Sequence, residues 1–313
     1  MELLASLTLV FVAGLVTALA TGIGALPFFL VDGFSDRWTV GLWGLASGIM
    51  LAASLFGLVN EGLAAADGQP ELLVGGLLAG VVLVVVADRV ISRVDVGGGD
   101  HDHAGHDDHQ HAQDDHQHAH DHAGTADSVR TDGGHDDHAH VDPEAFAEGD
   151  LRKLALIFGV LTVHSFPEGV AVGVAFAELG FVSGIPVLGV AVPVLAIFMT
   201  VAISIHNIPE GLAISIPLKS MDVSNWRMVG AAVFSSLPQP IGAVIAFAFV
   251  RWAQAFLPFG FGFAAGAMIY LVLTEFVPEA LEHGAELPGG GRRELAAGVL
   301  SGVALMLPLL AFS

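Results

Sequence analysis

Two short phrases in this chain bring together residue types that do metal chemistry. One reads His164-Ser165-Phe166-Pro167-Glu168-Gly169; the other, 42 residues later, reads His206-Asn207-Ile208-Pro209-Glu210-Gly211. Each sets a His and a Glu four residues apart, and on a helix positions i and i+4 share a face. Each phrase can therefore aim one imidazole and one carboxylate at a common point. Two such helices side by side would offer two nitrogens and two carboxylates to one divalent ion. Glu168 and Glu210 bring a charge of -2, which neutralises one such ion. The ligands bind in their deprotonated forms, so binding should release protons and weaken at low pH.

The surroundings sharpen this reading. Both phrases lie in long apolar stretches, where an ionisable residue is costly and is a functional hypothesis by default. The competing reading, a buried His-Glu pair satisfied within each helix, suits one copy better than two with the same spacing and the same prolines. Pro167 removes a hydrogen bond to the carbonyl of Val163, and Pro209 one to that of Ile205, so polar backbone also gathers near each His. Gly169 and Gly211 keep the following turn narrow for close helix contact. A different class, an intramembrane metal-dependent hydrolase, would need an open coordination position and a general base. No HExxH is present, and the obvious carboxylates are already used as ligands.

The elements that must position these residues are membrane helices. The chain has 313 residues, 54% hydrophobic and 14% charged, and apolar stretches of helix-spanning length recur. The spacing predicts eight spans near 3–30, 39–60, 71–92, 151–177, 187–217, 228–250, 259–281 and 295–312. The N-terminal stretch reads as a retained helix rather than a cleaved signal, since the first basic residue is Arg37. With both termini outside, ten of the eleven basic residues fall on the cytoplasmic side and only Arg251 outside. The expectation is an all-α multi-pass protein of the plasma membrane. Residues 1–94 would carry helices 1–3, 95–150 a cytoplasmic loop, and 151–313 helices 4–8.

That loop is a different material. Residues 95–150 hold 16 acidic side chains and one basic residue, Arg130. Twelve histidines punctuate it: His101, His103, His106, His109, His111, His116, His118, His120, His122, His135, His138 and His140. Nothing there can build a core, so disorder with loose, multi-site metal binding is expected. The net charge of -21 argues against nucleic acid as a partner, and the lack of cysteine excludes thiolate sites. Two further features are read more plainly. The small residues of Thr17 to Pro27 suit helix packing. Met50 in the second span is ordinarily apolar filler, although a thioether can bind soft metals.

With these residues in view, the chain resembles the ZIP family of divalent-metal transporters, in its GufA-like prokaryotic branch. The resemblance rests on the ALATGIGALP and GIMLAAS runs, both HxxPEG phrases, the run from Ser235 to Gly242 and the run from Gly266 to Glu275. It implies an eight-helix fold in a 3+2+3 arrangement, often dimeric, with helices 1, 4, 5 and 6 moving against helices 2, 3, 7 and 8. It implies import of Zn(II), with Fe(II), Mn(II) and Cd(II) as relatives, through His164, Glu168, His206 and Glu210, joined by Met50. Similar proteins hold a second metal beside the first. Its positions here read Ser165, Asn207, Gln239 and Glu275, three of them neutral, so one ion rather than two is expected. Glu275, and Glu279 together with His283, are expected along the cytoplasmic exit, while His283 taken alone reads as an interfacial residue.

Overall fold

The computed structural model describes residues 2–31, 33–68, 70–95, 164–180, 184–187, 190–220 and 222–310. The His-rich loop and residues 151–163, the expected start of the fourth span, lie outside these. Among the described residues, eight helical rods are seen. The first is α1 (Glu2–Ala25), prolonged by a 3-10 turn (Leu26–Phe29). The second joins α2 (Asp36–Ala52), a π-helical segment (Ala53–Val59) and α3 (Asn60–Ala65). Then come α4 (Glu71–Asp95), α5 (164–175) and α6 (Val194–Ser220). The sixth rod joins α7 (Asn225–Ser235) to α8 (Pro238–Trp252). The seventh joins α9 (Leu257–Leu271), a second π segment (Val272–Phe276) and α10 (Val277–His283). The last is α11 (Arg292–Leu310).

Six of these rods are long and apolar enough to cross a membrane. The other two are α5, whose preceding residues are not described, and α11, which opens on Arg292, Arg293 and Glu294. Apolar side chains such as Phe11, Val16, Leu19 and Ile23 of α1 and Leu78 and Val82 of α4 face outward, as a lipid-facing surface requires. Trp38 and Trp226, at the starts of α2 and α7, and Trp252, at the end of α8, are exposed where interfacial aromatics belong.

The fifth span, expected from residue 187, becomes helical only at Val194. The stretch before it is an antiparallel hairpin of β1 (Ile185–Val187) and β2 (Val190–Val192), pairing Ile185 with Val192. β-branched residues favour strand, and Pro193 opens the helix by accepting bonds from Ala196 and Ile197 at its carbonyl. Hydropathy alone does not separate such a strand from a helix turn.

Glycine determines how the rods meet. A Cβ at Gly211 would strike the backbone of Thr21, and one at Gly24 the backbone of Ile208, so α1 and α6 touch at backbone distance. Gly169 meets the backbone of Gln239 in the same way, pressing α5 onto α8. The packing role read for Gly169, Gly211 and the small-residue run of α1 is what the structure shows.

Candidate metal site

Two of these close-packed helices deliver three acidic and imidazole groups to one buried point. Glu168 comes from α5, and His206 and Glu210 come from adjacent turns of α6. A ligand atom from each lies within 4.8 Å of the others, and all three residues are buried. His206 Nε2 is 3.2 Å from Glu168 Oε1. Two ligands about 2.0–2.1 Å from one tetrahedral zinc sit about 3.3 Å apart, so this pair already has the spacing of neighbours on an ion.

The polar inventory also fits a cation. His206 Nδ1 and Glu210 Oε2 are buried with no hydrogen-bond partner. Leaving one such group unsatisfied costs about 1–3 kcal/mol, and more when it is charged. Two carboxylates and one imidazole within one dry cluster are a mixed N/O donor set of the kind that borderline divalent ions take.

His164 stands outside this group. It leads the helix that carries Glu168, and its Nε2 lies 3.7 Å from Glu275 Oε2. Met50 is buried in the core beside α6, at 1% exposure. The residues expected at a second metal position have other occupations. Ser165 donates to the carbonyl of Ser235 at 3.1 Å. Asn207 Nδ2 donates to the carbonyl of Thr17 at 2.7 Å and to Gln239 Oε1 at 3.0 Å. Gln239 Nε2 donates to Glu168 Oε2. Glu275 faces His164. Further along the same rod, His283 Nε2 lies 3.3 Å from Glu279 Oε1.

Sequence reasoning missed Phe276. Its ring stacks on the imidazole of His206, centroids 5.3 Å apart at 23°, and is backed edge-on by Trp43 at 5.0 Å. Glu275 and Phe276 are neighbours in the second π segment, and each meets one motif histidine. Such segments are frequent at functional sites, but hydropathy carries no sign of them.

Helices of spanning length around a buried His/Glu cluster define a multi-pass membrane protein with a candidate metal site. Comparison then supplies the family. The ZIP Zinc transporter family matches residues 7–310, and the chain belongs to it. The family is one of transporters, not enzymes. The chain is 28% identical over 309 residues to the zinc transporter GufA of Myxococcus xanthus, covering 95% of this chain and 96% of that one. It is 28% identical over 295 residues to the zinc transporter ZIPB of Bordetella bronchiseptica, covering 92% and 76%. An Arabidopsis thaliana protein provisionally named a zinc transporter is 33% identical over 276 residues, 86% of this chain but only 34% of the plant protein.

Proposed function

We propose that the chain imports divalent metal into the cytoplasm across the plasma membrane, with Zn(II) as its main substrate and Fe(II), Mn(II) and Cd(II) as lesser ones. The observation that carries this is the buried Glu168–His206–Glu210 group, set among helices long enough to span a bilayer. Its donors suit zinc-like ions. The names of GufA and ZIPB speak for the same substrate in those relatives. His164, one turn before Glu168, and Met50 complete the ligand set at another stage of the cycle.

The membrane site holds one ion at a time. Ser165, Asn207 and Gln239 are taken up in protein hydrogen bonds, which supports this. A second divalent ion there would find only Glu275 with a charge to offer. With both termini outside, the His-rich loop meets the cytoplasm and gathers metal loosely.

Purified protein in liposomes should move labelled zinc down its gradient. Glu210→Ala should lower the rate by at least about tenfold, since even residues behind a ligand cost that much in metal affinity. Wild-type vesicles that take up no zinc would sink the proposal.

A further inference from the structure

We propose that Gln239 sets which ions the site prefers, by reserving one oxygen of Glu168 for a hydrogen bond and leaving Glu168 a one-oxygen ligand. This rests on the metal-site reading above.

The two oxygens of Glu168 have different neighbours. Oε1 lies 3.2 Å from His206 Nε2, its neighbour in the cluster. Oε2 accepts from the Gln239 amide. The direction of that amide is set by a chain behind it. Asn207 donates to Gln239 Oε1 and is itself anchored on the carbonyl of Thr17, so the nitrogen of Gln239 is the atom left to face Glu168. Thr17, Asn207 and Gln239 are fully buried and Glu168 nearly so, at 2% exposure, so water does not compete for these bonds. A hydrogen bond to an ionised carboxylate is among the stronger ones. Gly169, beside Glu168, lies on the backbone of Gln239, which locks the register of α5 on α8 and keeps the amide opposite its carboxylate.

The consequence is chemical. Zn(II) is content with four ligands, each carboxylate giving one oxygen. Harder, larger ions seek six or more oxygens and take carboxylates through both. An amide holding Oε2 therefore disfavours Mn(II) more than Zn(II). Gln239 is a positioning residue, acting through Glu168 without touching the ion.

The test uses Gln239→Met, which keeps the length and removes the donor, in full-length protein titrated with Zn(II) and with Mn(II). The ratio of zinc to manganese affinity should fall by about tenfold, the scale of residues behind metal ligands. The splitting of the carboxylate stretches in infrared difference spectra should narrow as Glu168 becomes bidentate. A purely structural role would weaken both ions alike and leave ratio and splitting unchanged, and that result overturns the inference. Asn207→Ala keeps Gln239 but removes its anchor, and serves if Gln239→Met does not fold; a smaller shift of the same sign is expected, and no shift overturns the inference. Wild-type protein that binds neither ion would remove the site reading itself. Zinc binding by wild type with an unmoved ratio in the variants would remove this inference alone.

Discussion

At the scale of residues, His206 has the most constrained surroundings. One ring nitrogen faces Glu168, the other is buried without a partner, and one ring face lies on Phe276. The stack holds the plane of the imidazole. Such ring pairs are worth about 0.5–1.5 kcal/mol, so Phe276→Leu, which keeps a buried apolar side chain, should weaken zinc binding by about 2- to 12-fold. Calorimetric titration of the variant measures this, and an unchanged affinity would deny the ring a positioning role. The three residues of the cluster were legible because they belong to a repeat. Glu168 and Glu210 stand at the same place in two aligned phrases, as His206 does with His164, and chance rarely does that. Phe276 was illegible because it reaches His206 across 70 positions of sequence and looks like any other apolar residue of its span.

At the scale of elements, the local rules worked where they depend on close approach and failed where they depend on helix phase. Gly169 and Gly211 were read as contact points and are so. The same logic gives a paired prediction. Gly169→Val puts side-chain atoms into the backbone of Gln239, where no rotamer change relieves the clash. Overpacking of this kind costs about 1–3 kcal/mol or more, so folded protein recovered in detergent should drop sharply. Gly75, on α4, has nothing within 4 Å of where its Cβ would lie. Gly75→Ala should therefore fold as well as wild type, as size-exclusion profiles and melting curves of the two variants will show. The hairpin before α6 escaped detection because a short Val-rich strand is as apolar as a helix turn. The π segments escaped because one extra residue per turn leaves composition unchanged, although the second of them carries both Glu275, which faces His164, and Phe276, which stacks on His206.

At the scale of the whole molecule, the glycine contacts join α1, α5, α6 and α8 to one another, and pair α2 with α11 and α4 with α9. A Cβ at Gly14, Gly24, Gly169, Gly173 or Gly211 would meet backbone of α1, α6 or α8. One at Gly44, Gly48, Gly76, Gly80, Gly262 or Gly266 would meet backbone of α4, α9 or α11. Among the described residues, glycines at the border between the sets meet only side chains: Gly57 lies against Phe198 and Met199, and Gly260 against Val174 and Val250. Backbone-on-backbone packing resists sliding, since each glycine fits one register. A border of Met, Val and Phe side chains can repack as one set shifts past the other. These backbone contacts stay within the two sets of helices that the family resemblance implies, joining α1, α5, α6 and α8 in one and, in the other, α2 to α11 and α4 to α9. If transport moves the first set as a body, tying it to the second should stop flux without touching the metal site. The Cβ built on Gly260 lies 3.9 Å from that of Val174, within the range of about 3.5–4.5 Å that a disulfide spans. The chain has no cysteine of its own, so Val174→Cys with Gly260→Cys creates a single defined pair. Oxidised protein should bind zinc with near wild-type affinity yet lose most of its flux in liposomes, and a reductant should restore it. Full flux through the cross-linked protein would mean that the ion passes without the two sets moving apart at this border.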